Sequence, residues 1–297
     1  MNLPVTEQEN ARTANIDRVS TLEAVRLINA EDKFVAGEVE KVLPEIAKAV
    51  DKIVERLKNG GRLFYIGSGT SGRLGVLDAS EIPPTFGVSY DLVQGIIAGG
   101  YDALYKATES LEDNKEAGKI DLQNRGVSEK DAIVGIAASG ATPYTIGAVE
   151  FAGSLGCFTA CITCVPESLL TKAVEIAIVP QVGAEAIAGS SRMKAGTAQK
   201  MVLNMISTCA MIRLGYVKGN RMTNVKSSNA KLKERSLRIL MAETGLDETT
   251  AQNLMNDAKN DLRVAIVMQK ANVSCQTAEN ALTANDFMIE KAIESFD

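Results

Sequence analysis

The chain has 297 residues, 45% of them hydrophobic and 23% charged, with a formal net charge of −5, a globular composition that excludes disorder and collagen-like repeats. It contains no His, which excludes Ser–His and Cys–His nucleophiles, His-ligated zinc and a His general base, and leaves acid–base work to carboxylates, Lys, Tyr, Cys or water. The acidic balance, 4% aromatic content and absence of Trp argue against a nucleic-acid partner, and no apolar run approaches the ~20 residues that span a bilayer.

The N-terminus, Met1-Asn2-Leu3-Pro4-Val5-Thr6-Glu7, has neither a basic n-region nor an apolar h-region, so a cytoplasmic location is expected. Residues 1 to about 20 are polar and read as an irregular arm. A helical pattern covers Thr21–Asn29 and a second covers Phe34–Asn59, where Val39, Val42, Leu43, Ile46, Val50, Ile53, Val54 and Leu57 recur at three- and four-residue steps. Gly60-Gly61 ends it. Short apolar runs then follow at 62–67, 92–98, 132–138, 158–164 and 175–179. None alternates with period two, so they read as strands of a parallel sheet buried on both faces. Helical stretches between them, at 73–80, 102–123 and 142–155, complete repeated βα units. The fold expected is α/β, a doubly wound parallel sheet of five strands flanked by helices, with ligands at the carboxyl ends of the strands. Cys157, Cys161 and Cys164 fall in or beside the fourth run. Without a His as a further ligand they read as small buried hydrophobes, and no metal is expected. After Gly189 the pattern predicts a long apolar helix over Met193–Leu214, a charged helical stretch over Lys218–Glu243, a turn and helix start at Gly245–Glu248, and about three short helices to Asp297.

Three segments could carry chemistry. Gly67-Ser68-Gly69-Thr70-Ser71-Gly72-Arg73 joins the first strand to a helix. Its glycines permit a tight turn with inward N–H groups, the helix adds its positive end, and Ser68, Thr70 and Ser71 add hydroxyls, which together favour an anion. It is neither a Walker A nor a GxGxxG loop; an ordinary βα turn with a Ser N-cap is the structural alternative. Ala137-Ala138-Ser139-Gly140-Ala141-Thr142-Pro143 repeats the arrangement after the third strand, with Pro143 in a helix first turn. Ser139 and Thr142 would face the same sheet edge as Ser71. Two such loops converging on one crevice fit a phosphomonoester held without metal or cofactor. The third segment, Gly189-Ser190-Ser191-Arg192-Met193-Lys194-Ala195-Gly196-Thr197-Ala198-Gln199-Lys200, places Arg192, Lys194 and Lys200 near a helix start, where the dipole disfavours cations. That conflict points to an anionic ligand for at least one of them. Among carboxylates, Glu81 stands before Pro83-Pro84, which should end its helix near Glu81; a carboxylate at that end, if partly buried, takes the raised pKa of a general acid, and an exposed Glu is the structural alternative. Glu109, Glu112, Asp113 and Glu116 cluster further on, and spacing does not choose among them.

These stretches, with Ile16–Glu23, Leu77-Asp78-Ala79-Ser80-Glu81 and Gly135-Ile136-Ala137-Ala138-Ser139-Gly140, span nearly the whole chain in order. The sequence resembles the N-acetylmuramic acid 6-phosphate etherases, whose core is the sugar isomerase (SIS) domain. The resemblance implies an arm with helices over 1–45, an SIS domain over 46–239 and a helical subdomain over 240–297. It implies a lyase that cleaves the D-lactyl ether at C3 of N-acetylmuramic acid 6-phosphate, giving N-acetylglucosamine 6-phosphate and D-lactate in cell-wall recycling. Glu81 matches the family's acid/base and Glu112 its second catalytic carboxylate. Ser68, Gly69, Thr70, Ser71, Ser139, Gly140, Thr142, Ser190, Ser191 and Lys194 would hold the phosphorylated sugar. A homodimer is implied, with the apolar 193–214 helix able to serve as interface or as core. Two departures stand out: Ala141 replaces the family's common Arg, which removes a guanidinium that could pair with an anion, and Ile82 replaces Cys. A sugar-phosphate sensor like the glucokinase regulatory protein and an aldose–ketose phosphate isomerase are the alternatives on the same fold.

Overall fold

The computed structural model describes residues 3–106, 111–224 and 230–296. They form two compact units. One holds the chain up to Ser80 together with Tyr90–Ser207; the other holds Glu81–Ser89 and the chain from Thr208 onward.

The first unit begins with three short 3-10 turns between Val5 and Arg18, then α1 (Thr21–Asp32), α2 (Val35–Glu40) and α3 (Leu43–Lys58). The single helix expected over Phe34–Asn59 is interrupted at Val42, whose φ of −110° and ψ of 13° are not helical. Pro44 in the first turn of α3 explains the break, because it has no N–H for the carbonyl of Glu40. Beyond it, α3 buries Ile46, Ala49, Val50, Ile53, Val54 and Leu57 as the periodicity requires.

Next come β1 (Leu63–Gly67), α4 (Gly69–Phe86), β2 (Val93–Ile97), α5 (Lys115–Asn124), β3 (Ala132–Ile136), α6 (Pro143–Ser154), β4 (Phe158–Ile162), α7 (Leu169–Lys172), β5 (Ile176–Ile178) and α8 (Lys194–Arg213). The five strands make one parallel sheet in the order β2-β1-β3-β4-β5. β1, β3 and β4 are buried at every position, which is why their sequences are continuous apolar runs. Phe64, Ile66, Ile133 and Cys161 turn to one face and share a core with Leu122 of α5 and Tyr144 and Val149 of α6. Tyr65 and Ile136 turn to the other face, where α4 lies: a Cβ on Gly75 would stand 2.9 Å from Tyr65 Cβ and 3.2 Å from Ile136 Cδ1. The sheet is therefore covered on both sides.

Two helices differ from expectation. α4 passes through Pro83 and Pro84 instead of ending near Glu81. The prolines leave two carbonyls of the preceding turn without their helical donors, but Ile82 and Phe86 on either side of them are buried. Gly87, at φ +66°, ends the helix, its N–H donating to Pro83 O at 2.9 Å. The stretch 102–123 is not one helix: a 3-10 turn covers Gly100–Leu104, and α5 starts after Asn114, whose side chain caps Ala117 N at 3.0 Å.

The second unit contains the hairpin β6 (Val217–Lys218) and β7 (Arg221–Met222), then α9 (Ala230–Thr244), α10 (Glu248–Asp257), α11 (Leu262–Ala271), α12 (Cys275–Ala284) and α13 (Ile289–Glu294). The hairpin stands where the charge pattern predicted helix. Gly219-Asn220, with Gly219 at φ +58°, is a two-residue turn of the kind that folds a strand back. Leu240, Met255, Leu262, Ile266, Leu282 and Ile289 form this unit's core. Asp247, Asp261 and Ser274 cap the starts of α10, α11 and α12. No described helix is long and apolar enough to cross a membrane. Of the apolar residues that could have made α8 an interface, Val202, Ile206 and Met211 are buried within the chain itself.

Candidate functional site

From β1 the chain steps outward to β2 on one side, then returns to β3 on the other. The strand order therefore reverses between β1 and β3, and a crevice opens there outside their carboxyl ends. Both Ser/Gly loops leave these two strands, which are parallel neighbours pairing Gly67 with Ile136. The two loops accordingly share one rim of the sheet, one feeding α4 and the other α6, on opposite faces.

In the first loop Ser68 is buried and its carbonyl accepts from Gly72 N at 3.0 Å, closing the first turn of α4. Gly69 has φ +52°, a conformation that L side chains rarely adopt. A Cβ there would sit 3.2 Å from Glu112 Oε1. The Glu112 carboxylate thus lies directly over this turn. Its backbone is tied to the second loop as well, since Tyr144 N in the first turn of α6 donates to Glu112 O at 3.0 Å. Of the acids that spacing left open, Glu112 is placed between the two loops; Glu109 lies outside the described residues. Ser71 is buried and its hydroxyl donates to Gln199 Oε1 of α8 at 2.9 Å.

The second loop turns at Gly140, with φ +65°. A Cβ there would fall 2.2 Å from Ser168 Oγ and 2.8 Å from Thr163 Oγ1, so only glycine fits. Leu170 N donates to Gly140 O at 2.9 Å, and Ala141 N donates to Ser139 Oγ at 3.3 Å. Thr142 is the N-cap residue of α6, with Pro143 in its first turn, but its hydroxyl makes no capping bond.

The third segment approaches the first loop: a Cβ on Gly196 would lie 3.4 Å from Thr70 Cγ2 and 3.6 Å from Ser191 O. Ser190 and Ser191 are half-buried there. Lys194 differs from its sequence reading. Its side chain is 1% exposed and its Nζ lies 2.6 Å from Glu31 Oε2, so the ammonium is committed to a buried carboxylate. Glu31 also takes the Arg12 guanidinium, and Arg12 first, then Lys194, holds the Glu31 carboxyl down to about 2. The first N–H groups of α8 are taken too, with Lys194 N and Ala195 N donating to the two oxygens of Glu185, each at 2.9 Å. The conflict of charge seen at this helix start is thus resolved inside the protein. The N-terminal arm fixes the same segment through Asn10 Nδ2 to Ala184 O at 3.1 Å, Thr13 Oγ1 to Ala186 O at 2.8 Å and Gly189 N to Thr6 O at 3.1 Å.

Glu81 is exposed, on the part of α4 that belongs to the second unit. Before it on the same helix, Asp78 is buried and accepts from Ser207 Oγ at 3.2 Å and from Asn204 Nδ2 at 3.2 Å, while Asn204 Oδ1 accepts from Lys200 Nζ at 2.6 Å. Burial raises the Asp78 carboxyl above the usual range, and burial with Asp78 nearby raises the Tyr65 hydroxyl. Neither Glu31 nor Glu185 stands in a segment singled out from the sequence, and Gln199 and Asp78 stand in such segments without a role. Gln199 had a signal: it interrupts the buried stripe Ala195, Ala198, Val202, Ile206 of α8. Among the described residues no group of three or more His, Cys, Asp or Glu could hold a metal ion.

The rim so formed offers backbone N–H groups, several hydroxyls and one carboxylate placed between two loops. That is a set suited to an oxyanion with proton transfer beside it. Residues 45–153 match the family model described as the glucokinase regulatory protein N-terminal SIS domain. The chain is 53% identical over 290 residues to an N-acetylmuramic acid 6-phosphate etherase of Clostridium botulinum (strain Okra / Type B1), with 98% of this chain and 96% of that one covered. It is 50% identical over 291 residues to one of Klebsiella aerogenes, with 98% and 97% covered. Among solved structures, a Bacteroides fragilis chain named for phosphosugar isomerisation in capsule formation superposes with a TM-score of 0.50 at 20% identity. That match covers 65% of this chain and 91% of that one, a likeness of fold alone.

Proposed function

The chain belongs to the N-acetylmuramic acid 6-phosphate etherase family, and from that premise we propose that it cleaves the D-lactyl ether of N-acetylmuramic acid 6-phosphate, releasing N-acetylglucosamine 6-phosphate and D-lactate. The observation that carries this reading is identity of at least half over 98% of the chain with relatives of that name. The site supports it with a carboxylate seated over the first loop.

In the proposed sequence the sugar ring opens to the C1 aldehyde, which acidifies the C2 proton. A carboxylate takes that proton, the electron pair forms the C2–C3 double bond, and the C3–O bond breaks. The departing lactyl oxygen receives a proton, so D-lactate leaves with the ether oxygen. Water then adds to C3 of the unsaturated aldehyde and C2 regains a proton, which restores the sugar with no net oxidation. Ser68, Gly69, Thr70 and Ser71 of the first loop and Ser139, Gly140 and Thr142 of the second would hold the 6-phosphate, with Ser190 and Ser191 beside them. Glu112 is assigned to the C2 proton and Glu81 to the leaving oxygen. Lys194 is left out of the ligand set because Glu31 already occupies it. A cytoplasmic homodimer completes the proposal.

Lactate release from N-acetylmuramic acid 6-phosphate tests it. The wild-type protein should release D-lactate and N-acetylglucosamine 6-phosphate in equal amounts, and Glu112→Gln should bind the substrate and release neither. Full turnover by Glu112→Gln would remove that residue from the chemistry; sugar-phosphate binding with no lactate from the wild type would overturn the lyase reading.

A further inference from the structure

We propose that Gln199 is a positioning residue that sets whether Ser71 can donate its hydroxyl proton to a phosphoryl group, an inference that rests on the phosphate reading of the first loop. Ser71 donates to Gln199 Oε1 at 2.9 Å. A serine hydroxyl has a single proton. While that proton lies on Gln199, Ser71 offers any incoming ligand only lone pairs, which a phosphoryl oxygen cannot use. The other end of the same amide is unusual: Gln199 is fully buried, and its Nε2 has no hydrogen-bond partner among the described residues.

These two facts define a second arrangement of the same atoms. Half a turn of the carboxamide puts Nε2 where Oε1 stands, and the two ends of an amide are close to isosteric. Nε2–H then donates to Ser71 Oγ, and the serine proton is released for an acceptor on the other side. The turn breaks no existing bond of Nε2, because it has none. It trades the bond that Oε1 accepts from Ser71 for one that Nε2 donates to it, leaves Oε1 in the position without a partner, and makes Ser71 a donor to the ligand. α8 holds Gln199 in place for this: Ala195, Ala198 and Val202 are buried around it on the helix, and Gly196 lies against Thr70 of the loop.

An acceptor-only ligand such as a phosphomonoester favours the turned amide. A neutral sugar hydroxyl, which can itself donate to Ser71, is served by the first arrangement. Gln199 thereby couples the orientation of its amide to the charge of the group that meets Ser71.

The test uses inorganic phosphate as the probe, read by its competitive inhibition constant and by the side-chain amide signals of 15N-labelled protein. Gln199→Met assigns the Gln199 signal by its loss. In the wild type, saturation with phosphate should move one Gln199 carboxamide proton downfield and slow its exchange; in Ser71→Ala it should not. Loss of one hydrogen bond to a charged group should raise the phosphate inhibition constant roughly tenfold. The rise should appear in Ser71→Ala and in the double variant, with the loss in turnover falling on KM more than on kcat, whereas Gln199→Met removes the competing acceptor, frees the Ser71 proton and should not raise the constant. If Ser71→Ala weakens phosphate while the Gln199 signal never moves, or if Gln199→Met weakens phosphate as far as Ser71→Ala does, the inference is overturned and the loop reading stands. If Ser71→Ala leaves phosphate inhibition unchanged, the loop reading fails and takes the inference with it.

Discussion

Lys194→Met distinguishes a structural lysine from a ligand-binding one. In the structure its ammonium is 1% exposed and pairs with a Glu31 carboxylate that is 2% exposed, at 2.6 Å. Removing the cation leaves Glu31 buried with Arg12 alone, whose own side chain is 62% exposed. Two routes give the size of the effect. Breaking one partner out of a buried pair costs about 3–5 kcal/mol. The drop of the Glu31 carboxyl from 4.5 to about 2, shared between Arg12 and Lys194, corresponds to about 3 kcal/mol for the whole network. A loss near about 3 kcal/mol lowers Tm by roughly 6–12 °C in a unit of this size. The double variant Glu31→Gln/Lys194→Met removes both charges and should recover much of the loss. The pH dependence carries a sign. Because the folded-state pKa of Glu31 is depressed, its stabilisation is full above about pH 4.5 and is lost as pH falls towards 2. Acid denaturation of Lys194→Met should therefore begin at higher pH than in the wild type. Scanning calorimetry from pH 7 to 3, beside KM for the sugar phosphate, reads all of this. An unchanged Tm with a KM raised tenfold would show Lys194 to be a phosphate ligand and the buried pair to be misread.

Further expectations concern the chemistry, the second loop and the thiols. Glu81→Gln should retain substrate binding, measured by calorimetric titration, while lactate release falls by roughly 10²–10⁴-fold, the scale of general acid–base catalysis; retained turnover would take Glu81 out of the reaction. Gly140→Ala forces a Cβ to 2.2 Å from Ser168 Oγ at a φ of +65°, and left-handed strain of about 1–2 kcal/mol with overpacking of about 1–3 kcal/mol should lower Tm and raise KM together; a variant as stable as wild type would refute the geometry of this turn. Burial pushes Cys157 up to about 11 and Cys161 and Cys164 up to about 12, so at pH 8 a thiol reagent should label the exposed Cys209 and leave these three untouched until the protein unfolds, as mass spectrometry of peptides would show.

The sheet was legible because its five runs are apolar on both faces, and β1, β3 and β4 are indeed buried throughout. Parallel pairing of β1 with β3 then puts both Ser/Gly loops on one rim. What escaped was of two kinds. Local chemistry was overridden by periodicity at Pro44, which breaks the expected long helix, and at Gly219-Asn220, which folds a hairpin inside a charged stretch. Tertiary pairing left no local trace: Glu31 meets Lys194 across 163 residues of chain, and no spacing rule links them. The position of Glu112 belongs to the same class, because adjacent acids are alike in sequence and only the turn at Gly69 separates one from the rest.

Isotope transfer addresses the central claim most directly. Incubated with N-acetylmuramic acid 6-phosphate in heavy-oxygen water, the protein should place one label on C3 of the released N-acetylglucosamine 6-phosphate and none on the C2 hydroxyl of D-lactate. Label in the lactate hydroxyl, with an unlabelled C3, would mean that water attacks the lactyl carbon, and elimination followed by hydration at this rim would be wrong.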